Sequence, residues 1–195
     1  MFLLKEDAIT ATKNKIRINK CTASNNNIRS GIEIEEVKPK SAIDCMVMKE
    51  KLSKIIPKIF ESIISKNKQD GAFCKSIFDF TTNIKINFQD YLLRLIKYTQ
   101  VESNTLIYCL SLIDSLCSTK KIFLSYYNIH KVFFTALLIS IKLNEDEIYV
   151  EKHYSLCSGI TANEIAELES AFLKLVEYNI HINEERYLVY LKAFC

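Results

Sequence analysis

His153 and Cys157 stand four residues apart, a spacing that sets an imidazole and a thiol on one face of a helix. Activated, such a couple would be a nucleophile, but no oxyanion donor or orienting carboxylate accompanies it in the chain, so catalysis is not expected. His130 near a helix start reads as a packed or backbone-bonded imidazole, and His181 as part of an extended edge. These histidines are scattered among lone thiols, with no CxxC pair and no closely spaced Cys/His set. No metal site and no cofactor are therefore expected. The other side chains with a marked position are charged. Lys142 closes a nearly all-apolar run, Glu145, Asp146 and Glu147 follow it, and Glu169 sits beside Leu168 but off the apolar stripe of its helix. A Lys at a helix C-terminus is favoured by the helix dipole, and its apolar stem can carry the ammonium past the edge of a core. The carboxylates could meet a basic segment of another protein, or simply stand in solvent.

The element that must position Lys142 is the segment 128–146, NIHKVFFTALLISIKLNED. Between Val132 and Ile141 only Thr135 and Ser140 are polar, so no solvent face can be drawn at a period of 3.6. Such a helix is surrounded on all sides and marks the centre of a helical domain. Apolar positions recurring at three and four predict further helices around it. One over 44–65 contains Pro57, which is expected to kink or divide it. The next starts at Asn87, an N-cap candidate for the backbone N–H of Asp90, and buries Phe88, Leu92, Leu95 and Ile96. A helix over 103–117 carries Cys109 and Cys117 as core thiols, and Arg94 and Asp114 on these two helices are expected to form an intrachain ion pair. After a short helix over 148–157, Gly159 suits a left-handed stop. Thr161 and Glu164 then spell a capping box, opening a helix that buries Ile165, Leu168, Phe172, Leu175 and Val176. A last helix fits 184–194.

Three Gly and two Pro in 195 residues leave little room for hairpins or a phosphate-binding loop, and the fold class expected is all-α. The organisation read is a disordered extension over 1–40, with a short docking helix over 2–11 as the alternative, then an amphipathic helix and linker over 41–77, then the main domain over 78–195. Residues 1–40 carry eight Lys or Arg against five Asp or Glu, and the rest of the chain eighteen of each sign. A neutral folded part argues against a nucleic-acid binder. The central apolar run is about half the roughly 20 residues of a membrane span and is bracketed by Lys131 and Lys142. No signal peptide is read and no disulfide is expected, which places the chain inside the cell, in nucleus or cytoplasm.

The opening Asn128, His130, Lys131 and the close Lys-Leu-Asn-Glu-Asp at 142–146 resemble the third helix of a cyclin box of the PHO type, the P/U branch. Residues 159–182, GITANEIAELESAFLKLVEYNIHI, are similar to the same family's fifth-helix pattern, with Gly159, Glu164, Leu168, Glu169, Phe172 and Leu173 in register. Segments 90–100 and 106–116 resemble the first and second box helices, so the likeness covers residues 78–195. The chain departs from the pattern at Ile141, Ser115 and the pair Glu177–Tyr178.

The resemblance implies a single five-helix box around the buried central helix, with an added N-terminal helix and a short C-terminal one. It implies a non-catalytic regulatory subunit that binds and activates a cyclin-dependent protein kinase as a heterodimer, with no membrane and no nucleic acid involved. Lys142 and Glu169 would lie on the kinase-facing side. Glu145, Asp146, Phe133, Phe134 and Leu137 are the further candidates for that surface, core packing being the other reading of the three apolar residues. The competing functional readings are a cyclin-fold transcription factor gripping DNA and a helical scaffold without a kinase.

Overall fold

From Ile129 to Ile141 every residue is buried, and this helix is the axis around which the others pack. The computed structural model describes residues 42–70, 75–80 and 85–194; the extension expected over 1–40, with its alternative helix over 2–11, lies outside the described residues. Among the described residues seven helices follow in chain order: α1 Ala42–Gln69, α2 Phe88–Thr99, α3 Ser103–Ser118, α4 Ile129–Asn144, α5 Glu151–Ser158, α6 Ala162–Leu175 and α7 Glu184–Phe194. No strand occurs among the described residues, and none of these helices is long and apolar enough to cross a membrane. The axial α4 packs most extensively on α3 and next on α6.

Helix α1 belongs to the same core. Leu52, Ile56, Ile59, Phe60 and Ile64 are buried at helical spacing. The Phe60 ring meets Phe88 of α2 and Phe133 of α4 edge to face, with centroids 5.5 and 6.0 Å apart, and Phe88 meets Phe133 at 5.4 Å. Three helices thus share one aromatic contact. Pro57 does not divide α1, which runs through it as one element. The ring removes one backbone donor, but the buried side chains on both sides of it hold the two halves to one surface.

The local signals at helix ends act largely as read. Asn87 Oδ1 accepts from the Asp90 N–H at 2.8 Å. Gly159 ends α5 at φ +73°, its N–H bonded to Ser155 O at 2.9 Å. A Cβ there would meet nothing within 4 Å, so the cost of a side chain is purely conformational. Gly159→Ala is expected to lower stability by about 1 kcal/mol, read by urea unfolding; an unchanged midpoint would contradict the left-handed assignment. At α6 the capping box is half formed. Thr161 Oγ1 accepts from the Glu164 N–H at 3.3 Å, but the Glu164 carboxylate turns away to take the Lys131 ammonium at 2.8 Å.

The expected Arg94–Asp114 pair is replaced by two separate fastenings. Asp114 is fully buried and accepts from Arg186 Nη2 of α7 at 3.3 Å, and the same Nη2 donates to Ser111 O at 3.1 Å. Arg94 is exposed on α2 and donates to Leu156 O of α5 at 2.7 Å. A guanidinium on an outer face cannot serve a carboxylate inside the domain. With Tyr190 fully buried and Tyr187 Oη donating to Asn104 Oδ1 at 3.0 Å, the Arg186 contact straps α7 onto α3.

Candidate functional site

The buried helix α4 surfaces at its C-terminal turn. Lys142 lies there, one residue past the last buried position, and its Nζ donates to both oxygens of Glu169 at 2.6 and 2.8 Å. Glu169 is held on α6 next to Leu168, which is wholly buried and fixes the rotation of that helix. The pair is unequal, with the Lys142 side chain 47% exposed and that of Glu169 18%. Apolar side chains surround this end of α4 in sequence: Leu143, Ile148, Tyr149 and Val150 are all exposed. Two charges joined at the rim of a core, beside solvent-facing apolar groups, describe a surface suited to being covered.

The acidic run past Lys142 divides by role. The Glu145 N–H bonds Ile141 O at 2.9 Å and closes α4, while its carboxylate accepts from the Glu102 N–H at 2.9 Å at the start of α3. A negative group there is favoured by the dipole of α3, so Glu145 is tied into the fold. Asp146 and Glu147 are exposed. Phe133, Phe134 and Leu137 were candidates for the same surface, and the structure corrects this: each is at most 1% exposed. The reason is the one that identified α4, since a helix enclosed on every side has no outward positions along its middle.

At the other end of α4 the residues Asn128, His130 and Lys131 prove to be fasteners. Asn128 Oδ1 accepts from the Ser125 N–H and its Nδ2 donates to Phe123 O, both at 2.9 Å, which pins the turn before the helix. His130 Nε2 lies 3.1 Å from Ile86 O among the rings of Phe80, Phe88 and Tyr91, and burial holds its pKa below the usual imidazole range. The Lys131 ammonium sits 4.5 Å from the Phe80 ring centre and 3.3 Å from Asp79 O as well as on Glu164. This second Lys–Glu pair between α4 and α6 escaped the sequence reading. The signal that could have found it is a lysine placed where the helix has no solvent face, which must have a carboxylate partner.

His153 and Cys157 do come together, with Nε2 and Sγ 3.4 Å apart. The same Nε2 is 2.8 Å from Tyr98 O, an acceptor, so this nitrogen carries the proton and cannot take one from the thiol. Burial pushes the Cys157 thiol above its ordinary pKa, Arg94 opposing the shift, and Cys117 is pushed up to about 12 by burial and then by Asp114. Alkylation of Cys157 by iodoacetamide, followed by mass spectrometry, is expected to run roughly tenfold slower than that of an unstructured cysteine near neutral pH, and to speed up as the pH rises. A rate above the free thiol's would revive the nucleophile. Among the described residues, no three His, Cys, Asp or Glu side chains are grouped to hold a metal ion.

The family model described as Cyclin matches residues 21–180, a span that takes in α1 to α6. The chain belongs to the cyclin family. Cyclin-U2-1 of Arabidopsis thaliana is 25% identical over 135 residues, covering 66% of this chain and 61% of the relative. Cyclin-U2-2 of the same plant is 29% identical over 108 residues, 55% of this chain and 47% of the relative. Cyclin-P2-1 of Oryza sativa subsp. japonica is 23% identical over 137 residues, 66% and 63% of the two chains. The matches thus span between about half and two thirds of the length of these relatives. The likeness to U- and P-type members bears out the PHO-type resemblance read from residues 128–146 and 159–182. In this cyclin the Lys142–Glu169 pair joins α4 to α6.

Proposed function

We propose that this cyclin binds a cyclin-dependent protein kinase through the surface around Lys142 and Glu169 and stabilises the kinase in its active arrangement. The observation that supports the reading is the paired ammonium and carboxylate at the exposed end of a buried helix, with Leu143, Ile148, Tyr149 and Val150 solvent-facing beyond it. Left in water, such a pair contributes about 0–1 kcal/mol to stability. Covered by a partner it becomes a fixed, desolvated point of register, with free hydrogen-bonding capacity on both groups for backbone and side chains of the kinase. Seated there, the kinase's regulatory helix would be held inward, so that the kinase's own Lys–Glu pair can form for phosphoryl transfer. The cyclin supplies binding energy to one of two kinase states, and the catalytic groups remain the kinase's.

The free thiols Cys109, Cys117 and Cys157 support an intracellular site of action, nuclear or cytoplasmic. The equal numbers of positive and negative residues beyond position 40 favour a protein partner over DNA. Size-exclusion chromatography of the purified chain with purified cyclin-dependent kinases tests the proposal. Co-elution as a one-to-one complex is expected with at least one kinase of the panel; separate elution from all of them, with the chain folded, would contradict it.

A further inference from the structure

A cavity of about 380 Å³ opens where α1, the start of α2 and the start of α4 meet. Its volume lies toward the lower end of the roughly 300–1,000 Å³ usual for small-molecule sites, which suits a compact ligand of one or two fused rings. Phe60, Ile64, Phe88 and Ile129 supply apolar walls, two of them aromatic rings. His130, also on the lining, stands at the opposite end of α4 from Lys142, roughly 18 Å away along the helix axis.

The polar groups on these walls ask for a donor and a cation. His130 is 5% exposed, and its Nε2 faces Ile86 O at 3.1 Å and so carries the ring proton, which leaves Nδ1 as a lone-pair acceptor. Nδ1 is buried and has no hydrogen-bond partner. A buried acceptor left unpaired is uncommon in a folded domain, and one N–H or O–H of a ligand would satisfy it. Burial holds the imidazole below its usual pKa range, so the acceptor persists near neutral pH. Asn87 has nothing to add: its Oδ1 accepts from the Asp90 N–H and its Nδ2 donates to Asp90 Oδ2 at 2.7 Å. No Lys or Arg lines the cavity, whereas Glu61 does, and it is exposed. Tyr126, likewise exposed, contributes a further ring. A carboxylate and an aromatic ring at the mouth of an apolar cavity both favour a positive charge there.

We propose that this cavity binds a small aromatic amine, a flat apolar ring system whose N–H donates to His130 Nδ1 while its ammonium lies against Glu61. The cavity shares no residue with the Lys142–Glu169 surface, so the inference stands whether or not a kinase covers that pair.

Proton NMR titration of the full chain tests it with tryptamine as the probe, since that molecule has both an indole N–H and an ammonium. The ring signals of His130 are expected to shift saturably, while those of His153 and His181 stay in place. Indole-3-propionate, with a carboxylate in place of the ammonium, should bind at least about tenfold more weakly, and 1-methyltryptamine, without the indole N–H, several-fold more weakly. Glu61→Gln should weaken tryptamine by about tenfold. Glu61 is exposed, so its neutral isostere leaves the fold intact, as circular dichroism would verify. The absence of a saturable His130 shift at millimolar tryptamine, equal affinity for tryptamine and either control, or an affinity unchanged in Glu61→Gln would overturn the proposal.

Discussion

Lys142→Glu is expected to weaken kinase binding by roughly 30-fold to 4,000-fold while changing stability by about 1 kcal/mol or less. The first range corresponds to the loss of about 2–5 kcal/mol when one member of a covered charge pair is reversed and its partner is left desolvated. The second follows from exposure: the Lys142 side chain is 47% exposed in the free chain, and an ion pair in that setting does little for folding. The informative comparison is the double swap Lys142→Glu, Glu169→Lys. It restores the attraction within the chain but presents each charge from the wrong helix, so binding should stay lost although the pair is remade. Recovery of affinity in the double swap would mean that the pair acts only by bracing α4 against α6. Isothermal titration of each variant against the partnering kinase distinguishes the two roles.

Phe133→Ala is expected to lower the free energy of unfolding by about 3–5 kcal/mol. Phe133 is wholly buried and meets Phe60 and Phe88 edge to face, so its removal empties the junction of α1, α2 and α4. Against the roughly 5–15 kcal/mol by which domains are stable, the variant keeps a small margin. Urea unfolding should show the midpoint falling by about 1–2 M, while kinase affinity per folded molecule stays at the unaltered value. A variant of nearly normal stability that had lost its kinase would place Phe133 on the outside and undo the account of α4 as the buried axis.

The contrast between these two residues shows which parts of the architecture could be read from the chain. An apolar run with only Thr135 and Ser140 interrupting it has one physical solution, enclosure, and the structure buries every residue of it. End signals such as Asn87 and Gly159 act over a few residues and need no tertiary knowledge. Lys142 and Glu169 were legible because a helix must come out of the core where its charges begin, and because the motif at residues 159–182 supplied the second element. The misses have a common origin in partners distant along the chain. A helix that is apolar all round gives no clue to an outward side, which is how Phe133, Phe134 and Leu137 came to be assigned to a surface. Asp114 needed a guanidinium, and the choice of Arg94 on a neighbouring helix over Arg186, 72 residues away on α7, could not be made from local spacing. Glu164 looked like one half of a local cap because the other claim on it, the buried ammonium of Lys131, lies on a different helix. Glu145 likewise looked free until α3 brought its first turn alongside.

The central claim is that this cyclin switches on a kinase, and the most direct measurement is the rate at which a purified, otherwise inactive cyclin-dependent kinase phosphorylates a peptide as the purified chain is added. The account predicts a rise that saturates at one cyclin per kinase and is absent with Lys142→Glu. A rate that stays at the basal level across a panel of such kinases, with the chain folded and in excess, would contradict it.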